Sequence, residues 1–260
     1  MSRIVTERHG HVLVIELNRP EKKNAADMAL LHELSLAYGE LDRDPELRVG
    51  LVVAAGSAFT AGLDLADVAP HIQGGTLPLV VEGGCDPWRM GNGPDCRKPI
   101  VLAINGLCLT LGIELAAASD VVIADDTARF GQIEVARGIL PFGGATLRLP
   151  KRIGWSAAMH WMLGAGMHDA SEALRLGLVS EVVTPDQLRA RALEIAEGVA
   201  EQAPLAVQAT LANARLAERD GDAAASAALP ALLDSLVRSD DAQTAIAAFL
   251  SGQKPDFSGR

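Results

Sequence analysis

Residues 100–119 read IVLAINGLCLTLGIELAAAS, a run apolar and long enough to be taken for a membrane span. Two features argue against that reading. Asn105-Gly106 interrupts it with a turn signal, and Glu114 sits inside it. A carboxylate near the bilayer centre costs on the order of 2.5–3.5 kcal/mol on insertion scales. No basic cluster flanks the run to set a topology. A buried strand over Pro99 to Ala103, a turn, and a buried helix starting near Thr110 or Leu111 account for the same residues at lower cost.

The same alternation of strand and helix extends in both directions. Towards the N-terminus, Ile4 to Glu7 and Val12 to Leu17 are short β-rich runs joined at His9-Gly10, which predicts a hairpin. Asp27 caps a predicted helix whose Leu31, Leu34, Tyr38 and Leu41 share one face. Val49 to Ala55 is a near-continuous apolar run, the mark of a strand covered on both sides. Beyond the central stretch, Val121 to Ala124 reads as a further strand, and the whole as an α/β core. Residues 66–98 break the rhythm with Pro70, Pro78, Pro87, Pro94 and the pairs Gly74-Gly75 and Gly83-Gly84. A connection of that length inside a domain is generally mobile or functional.

From about residue 144 helices dominate. Asp169-Ala170-Ser171-Glu172 is a helix start closed by Gly177. Thr184-Pro185-Asp186-Gln187 predicts another, with Leu188, Ala192, Ile195 and Val199 on one face. Pro204 opens a further helix, and Ala-rich helical patterns run to Leu250. Their surplus of apolar faces predicts burial against a neighbouring subunit.

Composition narrows the function classes. The 260 residues carry 23 Lys+Arg against 33 Asp+Glu, so the net charge is 23 − 33 = −10, and 49% of the chain is apolar. That apolar content supports a sizeable core and excludes wholesale disorder. A net acidic chain repels phosphate, which argues against a nucleic-acid-coating role. Cys85, Cys96 and Cys108 form neither a disulfide framework nor a zinc knuckle. The six histidines lack ligand spacing, so no metal is expected. The charged opening residues are no signal peptide, and a reducing cytoplasm fits best.

Chemistry concentrates in three segments. Ala55 to Leu65 places two glycines and small residues directly after a buried strand, permitting close approach of a ligand to the backbone; a tight strand-to-loop turn is the plain alternative. In Ile104 to Leu115, a helix starting near Thr110 or Leu111 leaves its first amides without intrahelical partners, at the positive end of the dipole. Such a terminus can hold a developing oxyanion. Glu114, flanked by Ile113 and Leu115, is a candidate desolvated acid, or else a glutamate at the wet edge of a buried helix. In Phe130 to Thr146, Glu134 again lies between two β-branched apolar residues. Two such carboxylates suit acid–base addition of water across a double bond. The glycines of 138–144 have neither GxGxxG spacing nor a Walker lysine and lead into a helix.

Asn18 to Ala25 (NRPEKKNA), Ala58 to Leu65 (AFTAGLDL), Ile104 to Asp120 (INGLCLTLGIELAAASD) and Phe130 to Thr146 (FGQIEVARGILPFGGAT) occur in the order and spacing of the crotonase (enoyl-CoA hydratase/isomerase) superfamily, which the chain resembles over nearly its whole length. EALRLGLVSEVV and the closing KPDFSGR are also similar to that family. The resemblance implies an α/β spiral of repeated ββα units over residues 1–200, with the insertion at 66–98, and a C-terminal helical module over 201–260. It implies self-association as a trimer or dimer of trimers. It implies an acyl-CoA thioester substrate, so that coenzyme A arrives with the substrate and no cofactor is permanently bound.

By motif, the oxyanion-binding amides fall on Leu63 and Leu111, and the catalytic acids on Glu114 and Glu134. The coenzyme A contacts fall on Lys23, Asn24, Ala25, Ala61, Asp64 and Leu65. Arg19, Lys22, Lys23 and Lys254 are the cations available for its phosphates. Where the family commonly has a glycine-rich run, this chain has Thr110-Leu111-Gly112, so Leu111 reshapes the acyl pocket. Asp86 and Trp88, in the long insertion, are candidates for a lid or pocket wall, with Trp88 equally a packing anchor. The leading expectation is hydration of a 2-enoyl-CoA to a 3-hydroxyacyl-CoA. Double-bond isomerisation, hydrolysis, decarboxylation and non-catalytic acyl-CoA binding remain as alternatives.

Overall fold

The computed structural model describes residues 2–72, 75 and 77–260; Gly74 of the glycine pair expected in the insertion lies outside them. At the N-terminus β1 (Ile4–His9) and β2 (Val12–Leu17) pair antiparallel across the turn at Gly10, whose φ of 55° suits a residue without Cβ. Helix α1 (Met28–Arg43) follows, and the Asp27 side chain caps it by accepting from the Leu30 N–H at 2.9 Å.

Three ββα-like units come next. Each sends one longer strand into a first sheet and one very short strand into a second. The first holds β3 (Val49–Ala54), β4 (Ala58–Thr60) and the one-turn α2 (Leu65–Val68). The second holds β5 (Ile100–Ile104), β6 (Leu107–Leu109) and α3 (Leu111–Ala118). The third holds β7 (Val121–Asp125), β8 (Arg129–Gly131), a 3-10 turn over Glu134–Arg137 and α4 (Ala145–Ile153). The stretch that could pass for a membrane span is therefore strand, turn, strand and helix. Among the described residues no helix is long and apolar enough to cross a membrane.

Helix α5 (Trp155–Gly164), the two-residue β9 (His168–Asp169), α6 (Ala170–Leu176) and β10 (Glu181–Val183) complete the two sheets. The first sheet has the order β1-β2-β3-β5-β7-β10 and is parallel apart from its N-terminal hairpin. The second has the order β4-β6-β8-β9. Its strands leave no mark in the sequence, because strands of two or three residues are too short to show a period.

Burial explains the near-continuous apolar runs. Val52, Leu102 and Val122 face a core shared with α1 and α3, while Leu51, Val53, Val101 and Ile123 face α7 (Leu188–Ala200). A strand covered on both faces has no polar side to show. Helix α7 begins at Leu188, later than expected, because Thr184 to Gln187 closes as a turn with the Gln187 N–H on the Thr184 carbonyl. Its buried face is Leu188, Ala192, Ala196 and Ala200, with Ile195 and Val199 half-buried. The chain ends in α8 (Pro204–Asp220), α9 (Asp222–Val237) and α10 (Asp240–Ser251). These leave Leu233, Ile246 and Leu250 exposed, and Phe249 is 87% exposed.

Candidate active site

The segment after β4 is built to present one amide. The Thr60 hydroxyl donates to the Asn24 carbonyl at 2.7 Å and accepts the Gly62 N–H at 3.1 Å. Ala26 then bridges the next residues: its N–H donates to the Gly62 carbonyl, and its carbonyl accepts the Asp64 N–H. In a ladder the intervening residue turns its own N–H the other way. Leu63 is that residue, and among the described residues no acceptor in the chain takes its N–H.

The start of α3 presents the second amide. Thr110 caps the helix at φ 47°, ψ −107°, and its carbonyl accepts from Ile113 and Glu114, so the helix begins abruptly at Leu111. Among the described residues the Leu111 N–H also finds no acceptor in the chain. The two segments touch. A Cβ on Gly62 would lie 2.2 Å from the Thr110 hydroxyl oxygen, so only glycine permits this approach, and Gly62 also holds a φ of 90°.

Leu63 and Leu111 line one cavity of about 450 Å³, together with Glu114 and Glu134. Glu114 projects from the first turn of α3 and is 2% exposed. Its Oε1 accepts the Gly143 N–H at 2.7 Å and the Ala145 N–H, at the start of α4, at 3.2 Å. Burial, reinforced by the charge of Glu134, pushes its pKa up to about 7, against the pull of those N–H groups and of Arg148. Gly143 is needed here because a Cβ would meet Glu114 Oε2 at 2.5 Å. Glu134 opens its 3-10 turn, buried; Oε1 accepts from Gln132 Nε2 at 2.7 Å, while Oε2 is buried with no partner among the described residues. Burial raises its pKa too. The cavity thus holds two acids biased towards the protonated form and two unclaimed amides.

Ala25, Ala61, Asp64 and Leu65 line the same cavity, as does Lys22. Asn24 and Lys23 do not. The Asn24 side chain is fully buried and used up as a brace: Oδ1 accepts the Arg19 N–H, and Nδ2 donates to the Ala55 and Ala58 carbonyls. Lys23 points to solvent in a left-handed conformation, and its carbonyl accepts the Ala61 N–H. Arg19 is no free cation either; it is buried between Asp27 and Asp64, at 3.3 and 2.8 Å, and holds the Asp64 carboxyl below its usual range. Lys254 pairs with Glu201 and lines a separate groove beside Arg48 and Phe257.

Asp86 and Trp88 form neither a lid over this cavity nor part of its wall. Both are buried behind α3, because the insertion folds inwards around Asp86 and drives the indole beneath Leu111. Leu109, Ile133, Arg137, Ile139 and Phe142 also line the cavity, and no motif singles them out. The spacing of Arg137 three residues after Glu134 was the available signal, since i and i+3 eclipse on a 3-10 turn. A second cavity of about 230 Å³, lined by Arg89, Arg148, Arg215 and Arg219, is largely spoken for: Asp120 pairs with Arg215, Asp220 with Arg219, and the Ala118 carbonyl with Arg89.

The profile of the enoyl-CoA hydratase/isomerase family matches residues 7–260. The chain belongs to that family. An enoyl-CoA hydratase/isomerase described as probable, from Mycobacterium abscessus, has a crystal structure that superposes with a TM-score of 0.96 at 51% identity, covering 99% of both chains. The enoyl-CoA hydratase of Mycobacterium tuberculosis H37Rv superposes at 0.89 with 31% identity over 100% of both. Among curated relatives, the 2,3-dehydroadipyl-CoA hydratase of Escherichia coli K12 is 34% identical over 260 residues, the full length of each. The paired sheets described above, with their C-terminal helices, are the enoyl-CoA hydratase/isomerase fold.

Proposed function

We propose that the protein adds water reversibly to a 2-enoyl-CoA thioester, giving the 3-hydroxyacyl-CoA. The observation that carries this reading is the pair of buried acids, Glu114 and Glu134, on the cavity that also receives the Leu63 and Leu111 amides. With the thioester oxygen between those amides, their hydrogen bonds strengthen as enolate charge grows, which lowers the barrier by differential binding. Glu114 in its carboxylate form takes a proton from water as the oxygen bonds to the β-carbon. The alkene electron pair passes through the enolate to the α-carbon, which takes a proton from Glu134. Solvent exchange then returns Glu114 to carboxylate and Glu134 to acid. Coenzyme A enters and leaves as part of the substrate, with Lys22, Ala25, Ala61, Asp64 and Leu65 along its path.

The exposed apolar side chains of α9 and α10 support assembly as a trimer or a dimer of trimers. Three buried free cysteines fit a reducing cytoplasm. The test is a panel of enoyl-CoA esters, followed by loss of conjugated-thioester absorbance and by product identity. A 3-hydroxyacyl-CoA is the expected product. A shifted alkene would make the protein an isomerase, and tight binding without product would make it a carrier.

A further inference from the structure

The insertion before β5 does something for the site that its place in the chain does not announce. Asp86 gathers it: Oδ1 accepts the Trp88 N–H at 3.0 Å, and Oδ2 accepts those of Met90 and Asn92 at 2.8 and 3.1 Å. The Asp86 N–H closes the loop on the Pro94 carbonyl at 2.8 Å. The loop so fixed grips α3 at both ends with consecutive residues. Trp88 Nε1 donates to the carbonyl of Leu111, the first residue of α3, at 3.1 Å, and Arg89 Nη2 donates to that of Ala118, the last, at 2.6 Å. The Arg89 carbonyl in turn accepts from Arg148 of α4, the helix whose first N–H holds Glu114.

The residue before Leu111 needs such a hold. Thr110 sits at φ 47°, ψ −107°, a region that L-residues with a Cβ rarely occupy. Strain of that kind persists only where the surroundings over-determine it. Trp88 is 1% exposed and shares with Leu111, Gly112, Thr60 and Asn24 the wall of a void of only about 10 Å³, so both amide-bearing segments border the same small space.

We propose that Trp88 is a positioning residue: its indole N–H, bonded to the Leu111 carbonyl, fixes the first turn of α3 so that the Leu111 N–H points into the cavity. The proposal rests on the reading of that N–H as an oxyanion donor.

The experiment compares Trp88→Phe with the wild-type protein and with Trp161→Phe. Trp161 is an equally buried tryptophan whose Nε1 meets Glu172 at 3.3 Å and which lines no part of the cavity. Turnover of an enoyl-CoA is measured beside the absorbance red shift of a bound aryl-enoyl-CoA, which reports polarisation of the thioester carbonyl. Trp88→Phe is expected to lower kcat about tenfold, as loss of one well-placed interaction does, with KM within about twofold and part of the red shift lost. Trp161→Phe is expected to lower thermal stability while leaving kcat and the shift intact. A Trp88→Phe protein with wild-type kcat and red shift overturns the proposal, whatever its stability. If phenylalanine prevents folding, benzothienylalanine at position 88 replaces the N–H by sulfur at nearly the same volume, and the same two readouts decide. A wild-type protein that turns over enoyl-CoA yet gives no red shift would instead bring down the oxyanion reading itself.

Discussion

The first turn of α3 and the last two helices are both unfinished surfaces, of opposite kinds. Around α3 the chain holds a strained Thr110, two acids raised by burial and two amides without acceptors among the described residues, against a core of interlocked apolar side chains. Helices α9, which carries Pro230 within it, and α10 are Ala-rich, and what they leave unmet is apolar surface at Leu233, Ile246, Phe249 and Leu250. The first region wants a polar atom with growing negative charge; the second wants another apolar face. Local strain held by a rigid core suits the proposed chemistry, and an unmatched apolar face suits the proposed assembly.

That contrast can be broken most sharply at the acids. Glu114→Gln and Glu134→Gln are each expected to lower hydration turnover about 10²–10⁴-fold with little change in acyl-CoA affinity, measured by steady-state kinetics and titration calorimetry. Full activity in either variant would remove that side chain from the reaction. Gly143→Ala is the next largest. Its Cβ would displace Glu114 Oε2, so turnover is expected to fall roughly 10- to 100-fold while the measured fold content is unchanged. At the other region, Phe249→Asp is expected to lower the mass measured by light scattering from that of the assembly towards that of one chain. An unchanged mass would show that α10 is not the assembly face.

The smallest effects concern pH. Glu114 keeps its proton up to about pH 7 in the folded protein, against an ordinary value of 4.5. As the group proposed to take a proton from water in its ionised form, it predicts that kcat/KM falls as pH drops below about 7, approaching tenfold per unit, a limb absent in Glu114→Gln. Between 4.5 and 7 the folded state binds more protons than the unfolded one, so this group's contribution to stability declines as pH rises through that window. Glu114→Gln keeps Oε1 as an acceptor and removes the charge. Its Tm is therefore expected to exceed the wild type's by roughly 5 °C at pH 8, with the gap shrinking towards pH 5.

Much of this was legible beforehand, and the reasons are local. The β1–β2 hairpin, the Asp27 cap and the doubly covered β3 follow from periods and turn residues that a short window contains. The strand-turn-helix reading of 100–119 followed from one interrupted run. The second sheet did not show, since β4, β6 and β8 have three residues each. Nor did the bracing tasks of Asn24 and Arg19, which the resemblance offers to coenzyme A, or the partner of Trp88, whose reading as a packing anchor stood beside that of a lid or pocket wall. Their partners lie far along the chain, at Ala55, Asp64 and Leu111, and only folding brings those together. Lys254, also offered as a cation for the phosphates, lines a separate groove within the chain.

The most direct test is a crystal structure with an unreactive acyl-CoA thioester bound. The thioester oxygen is predicted within about 2.7–3.1 Å of both the Leu63 and Leu111 nitrogens, with the Glu114 and Glu134 carboxyls beside the carbons next along the chain. An oxygen that meets only one of those nitrogens, or an acyl chain running away from the two carboxyls, would contradict the account.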